Sequence, residues 1–259
     1  MARDDARHGR AFPQLRRMST TFFFRISKGL VERHTSVHCL GRNADVDTGT
    51  EDVWSAGGPY VPPTTARIHG IVSTSANDTE AGTGARTVRI TGLDASYAPA
   101  SETVTLSGTT PVSTTGAYVF VSEICVLTAG SGGINAGDIT ATAATDNTVS
   151  TKIVTGEGKS LTAAYQIPAG YTGYLQSVYG GVHGQSGAGV ELICKIKNFG
   201  GVFWPVTSLI LQPGGGSMTI DQWDCPIVLP AKSIVKVSAT SDTNNILVHA
   251  AFNLILVKS

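Results

Sequence analysis

The sequence predicts an all-β protein with two antiparallel β-sandwich regions, the second of them jelly-roll-like, preceded by an extended N-terminal arm. Two observations support this fold class. Apolar and polar residues alternate with a period of two in many short runs, which is typical of half-buried strands. Clusters of Gly, Ser, Thr, Asn and Asp separate these runs and favour turns. Because no long helical pattern lies between the runs, antiparallel sheets are favoured over βαβ units.

The chain divides by composition into three parts. Residues 1–50 form a basic N-terminal arm and linker, residues 51–150 a first β-sandwich region, and residues 151–259 a jelly-roll-like β domain. A chain of 259 residues is long enough for two domains with a sizeable core. Only 15% of the residues are charged, against about 25% in an average soluble domain. Such a neutral surface is typical of proteins that pack against other copies or another subunit.

Charge is distributed unevenly along the chain. Residues 1–42 hold nine Lys/Arg and three Asp/Glu, a net charge of +6, and the rest of the chain carries −6. A basic arm on a mildly acidic body indicates docking on an acidic partner surface. For residues 1–17 the alternative is a leader with no partner, and Met18 is an alternative translation start.

The first β region begins at Trp54, after a loop predicted over Arg42 to Asp52. Its predicted strands are 67–73, 86–91, 102–107, 117–127 and 138–143. The predicted strands of the second region are 160–167, 171–179, 190–197, 202–211, 218–223, 227–229, 233–239 and 246–257. Two segments of this region, Gln166–Leu175 and Val228–Val237, share a Pro-Ala step before an alternating run. Proline suits a corner between sheets, because it cannot donate to a ladder.

One helix is predicted, over Phe24 to Glu32, although Gly29 weakens it and the alternation of Phe22, Phe24 and Ile26 also fits a strand. The cluster of three phenylalanines is too short for a secretory signal or a membrane span. The four cysteines show no paired spacing and are expected to be reduced thiols in a protein made in the cytosol.

Three patterns suggest chemistry, and in each the structural interpretation is favoured. Gly156–Ser160 ends like a phosphate-binding loop, but no helix is predicted after it to supply the N–H donors. His34 and His38, with Cys39, would share a face only if the segment were helical. Asp221 and Asp224 flank Trp223 as the carboxylates of a glycan hydrolase would. We therefore expect no enzyme activity, no cofactor and no metal site.

The sequence resembles a family of virion structural proteins of tailed bacteriophages. The matching segments are Gly41–Asp47 with Asp52–Trp54, Ser75–Asp78 with Gly82–Val88, Gly92–Asp94 with Glu102–Thr109, and Ile167–Tyr174. Together they span Cys39 to Leu175, and residues 1–38 lie outside the match. The resemblance implies a non-enzymatic component of the virion, made in the host cytoplasm. Members of this family occur in head decoration and in tails, so the resemblance leaves the location open. Our leading hypothesis is a capsid decoration or cement protein that bridges major capsid subunits as a homo-oligomer, expected to be a trimer.

Two groups of residues are expected to contact the capsid. The arm arginines are Arg3, Arg7, Arg10, Arg16 and Arg17, and the apolar anchors are Phe22, Phe23, Phe24 and Trp54. The major capsid protein is the expected partner. Because the β body is not basic, an acidic protein surface is preferred over nucleic acid, and no membrane or small-molecule substrate is expected.

The alternative function is that of a tail-fibre or receptor-binding protein that recognises a host-surface glycan. The tyrosine-rich strands around Tyr171 and Tyr179, beside the loop Gly180–Gly189, motivate it. Aromatic residues at a period of two are more often part of a core, which weakens this reading.

Overall fold

The structure, a computed structural model, describes residues 22–183, 189–212 and 218–259. Nearly all of its regular structure is β, arranged in several antiparallel sheets, which confirms the all-β prediction. The strands are β1 His34–Val46, β2 Glu51–Asp52, β3 His69–Ser73, β4 Ala85–Leu93, β5 Pro99–Thr105, β6 Val112–Ser113, β7 Phe120–Ala129, β8 Ile139–Ala143, β9 Val149–Ile153, β10 Ala164–Gln166, β11 Tyr171–His183, β12 Val190–Lys197, β13 Trp204–Leu211, β14 Met218–Leu229, β15 Ile234–Ser241 and β16 Ile246–Lys258.

Two sheets, which we call sheets I and II, form the main unit. Sheet I has the strand order β1-β16-β11-β14, and sheet II has the order β10-β15-β12-β13 with β2 paired to β15. Leu175 and Phe252 of sheet I share a buried core with Leu192 and Val237 of sheet II. The residues next to these in each strand face outward, because successive side chains of a strand point to opposite faces of the sheet.

The strands from β3 to β9 form a separate inserted unit. Sheet III (β6-β3-β8-β9) and sheet IV (β5-β4-β7) enclose a second core that contains Ile71, Val88 and Ile124. The chain leaves the main unit after β2 and returns at β10, so the inserted unit interrupts the main unit. Trp54, Tyr60 and other side chains of a smaller cluster pack between the two units.

Strand β1 differs from the expectation that residues 1–50 are arm and linker. Residues 34–46 form β1, which pairs with β16 from His34 opposite Val257 to Val46 opposite Ile246. The inward positions include Gly41 and Asn43, which are not apolar, so the alternation was not visible in the sequence. A Cβ atom at Gly41 would lie 2.1 Å from the carbonyl oxygen of Val53 and 2.4 Å from the amide nitrogen of Ala163. Glycine is therefore required where both ends of the inserted unit pass beneath β1.

The helix is shorter than predicted and covers residues 22–27. It ends because Gly29 takes a positive φ of 67°, a left-handed conformation that stops helices. The amide of Leu30 bonds back to the carbonyl of Arg25 and closes the last turn. Ile26 is the side chain of this helix that is buried, against the outer face of sheet I.

His69 makes the stability of the inserted unit depend on pH. Its Nδ1 lies 3.0 Å from the carbonyl oxygen of Arg67, and its Nε2 lies 2.8 Å from the hydroxyl of Ser150. A neutral ring satisfies both contacts by donating from Nδ1 and accepting at Nε2. Burial lowers the pKa of His69 below its ordinary value of 6.5.

We expect the free energy of unfolding to be highest above pH 6.5 and to fall as the pH drops toward the folded pKa of His69. Between the folded pKa and pH 6.5, His69 binds a proton in the unfolded chain but not in the folded protein. The free energy of unfolding therefore changes by at most about 1.4 kcal/mol per pH unit for this one group. Urea unfolding between pH 7.5 and 5 measures this slope, and His69→Gln should flatten it. An equal slope in His69→Gln would contradict the assignment.

Candidate partner-binding surface

The outer face of sheet I carries an apolar row that crosses all four strands and is exposed at both ends. Leu40 of β1 lies opposite Ala251 of β16, which lies opposite Tyr179 of β11, which in turn lies opposite Ile220 of β14. Leu40 is 39% exposed and Ile220 is 48% exposed. In the next row Met218 is 75% exposed. Large apolar side chains grouped on one face, rather than scattered singly, are typical of interaction sites.

A polar row lies directly beside the apolar one. Asn253 is hydrogen-bonded to its neighbours on both sides in this row. Its Oδ1 lies 2.8 Å from Nδ1 of His38. Its Nδ2 donates to the hydroxyls of Ser177 and Tyr179, at 3.0 and 2.8 Å. These bonds join β1, β16 and β11 on their outward side. They fix the side chains of the face in one arrangement, which lowers the entropic cost of binding a partner.

The helix of residues 22–27 lies at one end of this face. A cavity of about 440 Å³ separates it from the sheet and is lined by Phe23, Ile26 and Gln222, among others. A shallower cavity of about 270 Å³ lies over the apolar row, next to Leu40 and Met218. We call the helix and the outward side chains of sheet I together the sheet I face.

The phenylalanines predicted as apolar anchors are on this surface. Phe22, Phe23 and Phe24 are 41%, 40% and 59% exposed. The ring of Phe22 lies 5.9 Å from that of His34, and the ammonium of Lys28 lies 4.5 Å from the centre of the Phe24 ring. The predicted arm residues Arg3, Arg7, Arg10, Arg16 and Arg17 lie outside the described residues.

Trp54 does not lie on a partner-facing surface, in contrast to the sequence prediction. It is 5% exposed, its indole N–H donates to the carbonyl of Gly58 at 2.9 Å, and its ring meets that of Tyr60 at 5.1 Å. The segment turns back at Gly57 and Gly58, which both have positive φ, and this turn folds the indole between the two units.

Four histidines lie on the sheet I face or at its edge. His34, His38 and His249 all occupy outward positions of β1 and β16, and His183 lies at the end of β11. Burial, followed by the nearby Arg42, lowers the pKa of His249 below 6.5.

The patterns that suggested chemistry do not assemble into sites in the described residues. Cys39 points to the core of the main unit while His38 points outward, because β1 is a strand and not a helix. Burial raises the pKa of the Cys39 thiol to about 12, which keeps it protonated. No group of three His, Cys, Asp or Glu side chains is placed to hold a metal within the described ranges.

Of the other two patterns, the glycine turn and Asp221 make structural contacts, and Asp224 is exposed. Gly156 and Gly158 lie in a turn with positive φ, and the neighbouring Lys159 forms an ion pair with Glu123. Asp221 accepts a hydrogen bond from Thr207 at 2.6 Å, within the sheets of the main unit.

No helix among the described residues is long and apolar enough to cross a membrane.

The tyrosines that motivated a glycan-binding face divide between two environments. Tyr165 and Tyr171 pack against the core of the main unit, whereas Tyr179 belongs to the sheet I face. Residues 184–188 of the glycine-rich loop lie outside the described part of the chain.

No protein-family profile matches the chain, and no curated protein matches its sequence. Among solved structures, the chain is similar to the "Structure of infectious bursal disease virus Gx strain", with 10% identity and a TM-score of 0.26. It is also similar to the "Crystal structure of infectious bursal disease virus VP2 subviral particle", with 10% identity and a TM-score of 0.24. Both matches cover 88% of this chain and 73% of the other.

Proposed function

We propose that this protein is a non-enzymatic structural component of a phage particle, a decoration or cement protein that binds major capsid subunits through the sheet I face. The observation that carries the proposal is the apolar row from Leu40 to Ile220 with its exposed ends, because exposed large apolar side chains grouped on one sheet fit a protein that functions in contact with another. The sequence resemblance to virion proteins supplies the kind of partner.

We also propose that the main unit is a jelly-roll sandwich. Its eight strands, β1 and β10 to β16, pair first with last, second with seventh, third with sixth and fourth with fifth. Rolling up such a long hairpin adds the pairs β11–β16 and β12–β15, which are present. This pairing supports the jelly-roll proposal, in which the inserted unit lies between the first and second strands.

Binding would combine two kinds of contact. The sheet I face and Phe22 to Phe24 would bury apolar surface against the capsid, while the arm arginines would pair with acidic groups on a neighbouring subunit. A trimer would present three such surfaces at high effective concentration on the lattice. Each contact could then be weak while the assembly is stable.

The chain beginning at Met18 provides the test of the arm, because it lacks the five arm arginines and keeps the helix and its buried Ile26. We expect it to bind undecorated capsids about tenfold or more weakly than the chain from Met1 at low salt, and to show a smaller salt dependence. Cosedimentation at two salt concentrations measures both quantities. Equal binding at both would contradict the arm contact.

A second candidate is a tail-fibre or receptor-binding protein that recognises a host-surface glycan. The observation that favours it is a cavity between the two units, where Tyr97, Phe199 and Lys232 meet. Gold labelling of intact virions separates the two candidates, since label confined to the tail would reject capsid decoration.

A further inference from the structure

The junction of the two units holds a cavity of about 250 Å³ that belongs to neither core. Tyr97, in the turn before β5 of the inserted unit, forms one wall. The end of β12 contributes Lys197, the loop after it contributes Phe199, and the turn between β14 and β15 contributes Lys232. The wall on the Tyr97 side is held in place by a hydrogen bond of 2.8 Å from the amide of Ala169 to the carbonyl of Tyr97.

Two of the lining residues have a left-handed backbone. Tyr97 has φ of 63° and Lys232 has φ of 66°. For a residue other than glycine this conformation costs roughly 1–2 kcal/mol. The corresponding turn of the other Pro-Ala segment, before β11, has the same shape and uses glycine, Gly170, with φ of 75°. Lysine is therefore not needed to form the turn at position 232, and strain of this kind is concentrated at binding sites.

The side chain of Lys232 is aimed at two aromatic rings. Its ammonium lies 4.7 Å from the ring centre of Tyr97 and 4.8 Å from that of Phe199. The two rings meet edge to face at 5.5 Å. Phe199 remains 59% exposed, so ring surface is available for a ligand.

The cavity is positively charged. Lys197 and Lys232 both line it, and no carboxylate is among its lining residues. Neither lysine takes part in an ion pair with the described residues. In a chain with only 15% charged residues, two lysines without a carboxylate partner at one cavity indicate an anionic ligand.

The other residues that line the cavity indicate which kind of anion would bind there. Exposed ring surface beside a cation suits a ligand with an apolar face, which inorganic phosphate and sulfate lack. Asn198 and Gln166 add amide groups that hydrogen-bond hydroxyls. The volume suits one six-membered ring rather than a long chain.

We propose that the junction cavity binds a sugar ring that carries a carboxylate, with the ring against Phe199 and the carboxylate paired with Lys197 and Lys232. This deepens the second candidate function by naming its ligand class and does not depend on capsid binding through the sheet I face. Uronic acids and sialic acids are the two sources of this chemistry.

Isothermal titration and saturation-transfer NMR on the full chain test the site with glucuronic acid, N-acetylneuraminic acid and, as the neutral control, glucose. We expect one of the two acids to bind with Kd on the order of 1 mM and glucose at least tenfold more weakly. The acid that binds identifies the source. No binding of either acid, or equal binding of acid and glucose, overturns the proposal.

Three variants complete the test. Lys232→Gly and Phe199→Ala should each weaken acid binding tenfold or more, while Lys258→Gln, an exposed lysine at the end of β16, should leave it unchanged. Because glycine relieves the backbone strain, Lys232→Gly should keep or raise the melting temperature. A lowered melting temperature with unchanged sugar binding would make Lys232 a clamp between the units and overturn the proposal. Capsid binding by Lys232→Gly should be normal, so failure of this site is distinguishable from failure of the capsid role.

Discussion

Replacing Asp78 by Ala is expected to lower the stability of the inserted unit by about 4 kcal/mol, because buried donors would lose a charged acceptor. The carboxylate is fully buried. Its Oδ2 accepts from the hydroxyl of Ser73 at 2.6 Å and the amide of Gly137 at 2.9 Å. Its Oδ1 accepts from the amides of Ala85 and Ala136 at 2.7 and 2.8 Å.

Urea unfolding followed by a probe in the inserted unit measures this loss. Asp78→Asn should also destabilise, since every one of the four contacts needs an acceptor and the amide offers a donor on one side. The matched control is Asp45→Ala, the same change at an exposed position, which should alter stability by less than about 0.5 kcal/mol. An Asp78→Asn variant as stable as the natural chain would show that the carboxylate is not the acceptor for all four donors.

Asp78 also shows what the sequence could and could not predict. The segment between the predicted strands 67–73 and 86–91 was correctly predicted as a turn, because its composition is local information. The burial of Asp78 was not predictable, since two of its donors, Ala136 and Gly137, lie 58 and 59 residues further along the chain. Many strands were predicted close to their true bounds for the same local reason, β12 among them.

The candidate site depends even more on contacts distant in sequence. The apolar row of the sheet I face joins four strands that are not consecutive in the chain, so it exists only once their registers are fixed. Phe22 to Phe24 could be selected from sequence because three adjacent aromatic residues beside charged ones rarely bury fully. The burial of Trp54 could not be predicted in the same way. A side chain that is buried between two units leaves no pattern in the sequence around it.

The double variant Leu40→Asp with Ile220→Asp is expected to weaken binding to undecorated capsids by roughly tenfold to a hundredfold while the protein stays folded. Burying a fully exposed side chain of this size is worth about 1.5–3 kcal/mol, and the exposed fractions of 39% and 48% scale the loss of both to roughly 1.3–2.6 kcal/mol. Both residues already face solvent in the single chain, at 39% and 48% exposed. Their replacement should therefore leave the melting temperature within a few degrees of its original value.

Ile210→Asp is the matched control, because Ile210 is 73% exposed on β13 of sheet II, away from the sheet I face. If apolar exposure in general drives capsid binding, Ile210→Asp should weaken it as the double variant does. If the sheet I face is the docking surface, only the double variant should lose binding, at low and high salt alike, since apolar burial is not screened by salt. The loss of capsid binding in the chain from Met18 should shrink as the salt concentration rises. Comparing this chain with the double variant therefore separates the electrostatic contact of the arm from the apolar contact of the sheet I face.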